Sequence, residues 1–473
     1  MKISILYLLI FLASFHVLYL FCSIEARKSS VLSRNKHQKH KHNKGKGKSG
    51  YHCPTPADEP LVPPHTYPKI SNVLSFGAKG DGATDDSEAL LEAWKAACKV
   101  EGATVEIPSG YKFLIKPITL QGPCLPQLVL QIDGTVLAPS KLSCWPKSGL
   151  FQWINFKWVQ NFTIQGSGVV DGQGSEWWIS SQPTTYKKTY RQHVQVPSMK
   201  PTAIRFYSSN SITVRDISIR SSPLVHLKFD DSVGVQVHNI TISSPEDSPN
   251  TDGIHLQNSR DVQIHHSTIG CGDDCVSIQT GCSNIHVHHV NCGPGHGISL
   301  GGLGKDRSIA CVSDIVVEDI IMQNTLFGAR IKTWPGGIGS VKNITFSNIQ
   351  VSDVKVPIVI DQYYCANNFH CKNETGAVAI SNVQYSNILG TYSAQPIHLA
   401  CSNDIPCHGV DLINIQMKPS PSNRGLQQAL CSNSYGRIEA PLVPQSIDYC
   451  LRESNRQVPR LQRSHEKVCQ RGY

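Results

Sequence analysis

Two aspartates and a histidine recur at a fixed interval. Asp252, Asp274 and His296 are evenly spaced, and Asp273 adjoins Asp274 in the stretch GDDCVSIQTGCSNIHVHHVNCGPGHGISL, Gly272 to Leu300. Neighbouring carboxylates repel, so at least one of a clustered set is raised in pKa and keeps a proton beside ionised partners. That is equipment for general acid–base chemistry. It suits glycoside hydrolysis in particular, where one carboxyl protonates the leaving oxygen and another activates water. Arg330 and Lys332 alternate further along, and an Arg can hold a carboxylate through paired hydrogen bonds, which points to an anionic sugar.

Plainer readings compete. Asp-Asp beside Gly is common turn chemistry, as is Asn250-Thr251-Asp252, and His296 could simply be a satisfied histidine. Cys271, Cys275, Cys282 and Cys292, with His286, His288 and His289 nearby, superficially invite zinc, but an oxidising compartment favours disulfides. Asp252, Asp273 and Asp274 could collect calcium; the cations and the histidine oppose that. The registration of all three positions favours catalysis, with no metal at the site.

The even spacing brings side chains together only if it equals one turn of a stacked coil. Short segments support this: VRDISI, VHNITI, IHHSTI, VHHVNC, VEDIIM and FSNIQV start at Val214, Val237, Ile264, Val287, Val317 and Phe346. A second short segment follows each, at Leu224, Asp252, Asp274, His296, Gly328 and Pro357. Alternating Val/Ile with polar residues is strand periodicity, and Gly, Asn and Ser punctuate the gaps. Units of two or three strands are too small to bury their own apolar face and must stack. The expected fold is all-β, a right-handed parallel β-helix, its coils ~4.8 Å apart. A β-propeller would need longer units of four strands each. SEALLEAWKAAC, Ser87 to Cys98, is the one convincing helix and is expected to cap the exposed amino-terminal edge. By simple alternation Asp252 would share the inward side of Ile254 and Leu256. The carboxylates must therefore sit at a bend before the strand, where Gly253 and Gly297 allow unusual backbone angles.

The rest of the chain sets the compartment. Lys2, an apolar run from Ile3 to Cys22 and a small residue at Ala26 predict a secretory signal over residues 1–26. One of 17 cysteines lies in it, leaving 16, an even number suited to disulfides. Asn161, Asn239, Asn343 and Asn373 head glycosylation triplets. The net charge of +9 is local: residues 27–50 hold nine Lys or Arg and no acid, and residues 51–473 sum to zero. The division expected is a basic low-complexity tail at 27–66, a catalytic domain at 67–450 and a carboxy-terminal extension at 451–473. The tail cannot bury a core; it is either a solvated linker or an electrostatic tether to a polyanion. Nothing indicates a nucleotide, a redox cofactor or nucleic acid, and after signal cleavage no membrane association is expected.

At the acidic residues the chain resembles the polygalacturonases of glycoside hydrolase family 28. SPNTDG (Ser248–Gly253), GDDC (Gly272–Cys275), CGPGHGIS (Cys292–Ser299) and RIK (Arg330–Lys332) come in the family's order, over a resemblance spanning roughly residues 70–450. It implies hydrolysis of α-1,4-linked galacturonic acid in pectin with inversion, by a secreted enzyme without metal, expected to act as a monomer. By position, Asp273 would be the general acid, Asp252 and Asp274 would activate water, and His296 would tune the acid. Arg330, Lys332, Tyr364 and Asn250 would bind substrate; Tyr363 adjoins Tyr364 as a less favoured choice. The resemblance also suggests a Cys275–Cys292 pair. Departures are Gly302, where the family usually carries Ser, and Pro335 after RIKTW.

Overall fold

The computed structural model describes residues 69–146, 152–180, 199–365, 374–421, 427–445, 451 and 460–470. The signal segment, the basic tail and Asn373 lie outside them. Short apolar-alternating segments pair with their equivalents one turn on, always parallel, and build a right-handed β-helix. Among the described residues one sheet has eleven strands, including Ile254–Gln257, Val276–Ile278, Ile298–Leu303 and Phe327–Thr333. The remainder of each coil, such as Cys282–Cys292, forms the other wall.

The register matches the sequence pattern closely. Val214, Val237, Ile264, Val287, Val317 and Phe346 are successive partners across the ladder. In the eleven-stranded sheet Ile254 pairs Val276 and Val276 pairs Ile298, so one coil here equals the interval that separates Asp252, Asp274 and His296. Three segment starts are displaced by one: Leu227↔Ile254, Ile298↔Ala329 and Phe327↔Val356 put Val225, Phe327 and Val356, not Leu224, Gly328 and Pro357, in the column of Asp252 and His296.

Inside, identical side chains stack. Phe156, Phe206 and Phe229 lie 4.9 and 5.0 Å apart between centroids and nearly parallel, because the coil repeat is close to an aromatic stacking distance. Outside, Asn and Asp at left-handed bends hydrogen-bond up the coils, as from Asn343 Nδ2 to Asp314 Oδ1 at 2.8 Å. These residue types tolerate that conformation, which lets the chain turn without a glycine. Asn161, Asn239 and Asn343 all stand exposed at such bends.

The expected cap is present. Helix Ser87–Ala97 buries Leu90, Ala93, Trp94 and Ala97 over the first coils. Its Trp94 Nε1 donates to the Gln121 carbonyl at 3.1 Å, and Cys98–Cys124 fastens its end. At the other end, helix Arg460–Gln470 is held to the solenoid wall by Cys311–Cys469. Cysteine parity overstated the pairing: Cys144, Cys271 and Cys282 are free. Cys271 and Cys282 are fully buried, where a thiol packs as a small apolar group.

Candidate active site

The site lies on the outside of the eleven-stranded sheet, where three successive coils enter their strands. Asp252, Asp274 and His296 each stand two residues before a paired position, in one column. They precede the strands rather than lie in them, which removes the parity conflict. The two glycines act differently. Gly297 has φ +79°, a left-handed turn, whereas Gly253 is needed for space: a Cβ there would meet Ile269 at 2.4 Å and the Cys275 carbonyl at 2.5 Å. Cys275–Cys292 is formed, with Cα atoms 5.9 Å apart, and ties the coil of Asp274 to the next turn.

Asp273 holds three donors. His296 Nδ1 lies 3.0 Å from its Oδ1, the Asp274 N–H donates to the same oxygen at 2.9 Å, and Asn250 Nδ2 donates to Oδ2 at 3.1 Å. The His296 backbone N–H also donates to the Asp273 carbonyl at 2.7 Å, so this histidine is tied to the acid twice. The Asp273 side chain keeps 17% exposure and His296 30%, leaving both open to the groove.

Asp274 is different. Its side chain is 2% exposed, and its oxygens accept from Ser299 Oγ at 2.8 Å, Arg330 at 2.5 Å and Lys332 Nζ at 2.8 Å. Burial alone would raise its pKa, but Lys332 and then Arg330 outweigh it and hold the carboxyl at about 2. Ser299 donates to Asp274 while accepting from Arg330 Nε at 2.9 Å, completing a closed network. Asp252 shifts the opposite way. Burial, and then the charges of Asp273 and Asp274, raise it against a partial hydrogen bond from His255 at 3.4 Å. Its main chain is held by His226, whose Nδ1–H reaches the Asp252 carbonyl at 2.9 Å while Nε2 meets Ser244. Burial pushes His226 down to about 4, so it is a neutral positioning residue.

The predicted residues thus converge, with one rearrangement. Arg330 and Lys332 are themselves buried and engage Asp274 rather than projecting freely. Both retain unused N–H donors, since a guanidinium has five and an ammonium three. Tyr364, rather than the exposed Tyr363, lies beside Lys332, with Nζ 5.4 Å from its ring centroid. Trp334 packs edge-on to Tyr364 at 5.4 Å. The Gly302 departure is explained here: a Cβ would come 2.7 Å from Trp334 Nε1 and 2.9 Å from Tyr364. Residues missed by the sequence reading are Ser299, His255 and Phe327, whose ring lies 4.1 Å from the Arg330 guanidinium carbon. The register Ser299↔Arg330 is the signal that could have found the first of them, but it crosses a coil longer than the one separating the acids.

Asp273, Asp274 and His296 offer ligand atoms within 4.8 Å of one another. They are a poor cation seat: Asp274 is spent on two cations and Ser299, His296 Nδ1 is spent on Asp273, and Arg330 and Lys332 would repel a third positive charge. The cysteine half of a zinc site is also gone, to a disulfide and to the core.

Fold and site together define a β-helical glycoside hydrolase. The sequence profile described as Glycosyl hydrolases family 28 matches residues 98–434, and the chain belongs to that family. It is 42% identical over 355 residues to a polygalacturonase of Malus domestica, covering 74% of this chain and 75% of that one. It is 37% identical over 378 residues to a probable polygalacturonase of Arabidopsis thaliana, covering 80% and 83%. Among solved structures, an exopolygalacturonase from Thermotoga maritima superposes with a TM-score of 0.65 at 20% identity, covering 82% of this chain and 92% of that one. A polygalacturonase from Erwinia carotovora gives 0.62 at 23%, covering 76% and 94%. These two bear on the fold alone.

Proposed function

We propose that the protein hydrolyses the α-1,4 linkages of polygalacturonate in the plant cell wall, with inversion. The observation that carries this is the gathering of Asp252, Asp273 and Asp274 with Arg330 and Lys332 on one sheet face. Basic side chains continue along that face: Arg205 and Lys228, which share Asp230, and then His255 occupy successive coils in the column that leads through Ser277 and Ser299 to Arg330. Such a row suits a polymer with one carboxylate per sugar.

In this reading Asp273 protonates the departing glycosidic oxygen, and His296 holds it in place. Asp252 accepts the proton of the attacking water; the raised carboxyl is thus the base rather than the donor expected from clustering alone, and once ionised it is a stronger base than Asp274. Asp274 contributes a fixed negative charge that orients Arg330 and Lys332, whose remaining N–H groups meet the sugar carboxylate. Tyr364 and Asn250 border the same space. The assay is release of reducing ends from polygalacturonate, followed alongside absorbance of unsaturated product. Reducing ends without that absorbance are expected; unsaturated product, or binding without cleavage, would overturn the reading.

We assign secretion to the signal-like segment; among the described residues no helix is long and apolar enough to cross a membrane. Residues 27–50, with nine Lys or Arg, then act as a tether to de-esterified pectin. Deleting them should lower retention on immobilised polygalacturonate at low salt, leaving turnover on soluble oligomers unchanged. Equal retention of both proteins would remove the tether.

A further inference from the structure

On the opposite wall of the solenoid from the carboxylates, six histidines crowd three coils. His238, His265 and His288 stack in register, with centroids 5.0 and 4.9 Å apart. Beside them His266 and His289 stack at 4.8 Å, and His286 packs on His288 at 4.3 Å. His266 and His289 stand at the left-handed bend, φ 48° and 52°, in the column that elsewhere holds Asn239, Asp319 and Asn348. There Asn239 bonds Asp216 at 2.6 Å and Asn348 bonds Asp319 at 3.2 Å. Two histidines interrupt that amide ladder.

The bend breaks strand alternation, so consecutive histidines face the same side. His265 Nδ1 lies 2.8 Å from His266 Nδ1, and His288 Nδ1 lies 2.9 Å from His289 Nδ1; in each pair one ring donates its Nδ1–H to the other, and an ion taking both nitrogens would displace that proton to the ring's Nε2 or to water. Two imidazole nitrogens bound at 2.0–2.1 Å to one ion and at right angles to each other stand about 2.9 Å apart, whereas a tetrahedral ion would hold them at about 3.3 Å. His266 and His289 are exposed, and His265 and His288 are half-buried beside them. Behind the second, Asp319 faces His289 Nε2 at 3.9 Å, where an outer carboxylate would steady a ligating ring.

We propose that each of these pairs, His265 with His266 and His288 with His289, is a bidentate seat for a divalent transition-metal ion of square or octahedral preference, Cu(II) foremost. The seats are separate from the acidic site and independent of the hydrolytic reading. The ion would take water or a nearby carboxylate as its remaining ligands.

The test is a chelator-buffered Cu(II) titration of the full chain, with electron paramagnetic resonance of the bound ion. His266→Asn with His289→Asn restores the ladder residue of the neighbouring coils, so folding and hydrolytic turnover should be unchanged. That variant should bind at least one Cu(II) fewer than wild type and lose a nitrogen-coordinated copper signal. A second variant replaces His37, His40 and His42 of the basic tail by Ser and should keep that signal. Equal copper binding by the ladder variant and wild type, or complete loss of copper in the tail variant, would overturn the proposal.

Discussion

Replacing Asp273 by Asn is expected to lower polygalacturonate hydrolysis by about 10²–10⁴-fold, the usual contribution of a positioned general acid. Asn preserves the shape of the side chain, and its oxygen can still accept from His296 Nδ1 and the Asp274 N–H, while its NH2 gives up only the bond from Asn250. The thermal midpoint should therefore fall only slightly below that of wild type. The informative reading is the pH profile of the residual activity. With the acid removed, the alkaline limb should flatten, because no proton donor remains to be lost. The Asp252→Asn variant should instead flatten the acidic limb, since protonating Asp252 is what removes the base. Near wild-type turnover by Asp273→Asn would end the acid assignment; an unchanged alkaline limb on weak activity would move that role to another group.

The second large effect belongs to Asp274. Asp274→Asn leaves Arg330 and Lys332 buried without their counter-charge, and breaking a buried ion pair from one side costs about 3–5 kcal/mol. Stability, read as a fall in the denaturation midpoint, should drop together with activity. Adding Lys332→Met to Asp274→Asn removes one stranded cation and should recover much of the stability but none of the activity. A single variant as stable as wild type would show that the network contributes nothing to the fold.

The pH dependence distinguishes the buried Asp274 from the half-buried Asp252. Asp274 is depressed from 3.8 to about 2. It therefore contributes stability above pH ~4, and that contribution is lost as the pH falls through the window from ~4 to ~2. Asp252 is raised, so it favours the folded state while protonated and weighs against it as the pH climbs past 3.8 and through its folded value. Acid unfolding of Asp274→Asn should accordingly be shallower between pH 4 and 2 than that of wild type.

Much of this architecture is legible in the chain. Val/Ile alternation and one constant interval suffice to stack Asp252, Asp274 and His296, because a parallel ladder places equivalent residues of successive coils in one line. The amino-terminal helix is equally readable, since its apolar face from Leu90 to Ala97 has no other surface to cover. Interval arithmetic fails where coils change length: the step from Ser299 to Arg330 is longer, and only the closed coil reveals that Arg330 bonds both Ser299 and Asp274.

Sequence by itself determined the repeat, the stacking direction and the set of acids and bases that share a column, because these depend on a two-residue side-chain period and on the equal length of the two coils that join Asp252, Asp274 and His296. Tertiary structure alone decided which carboxyl is buried against cations and which keeps a raised pKa. It also decided that His265 and His266 present adjacent nitrogens. Those outcomes depend on burial and on left-handed bends between coils, which arise from neighbours distant in the chain.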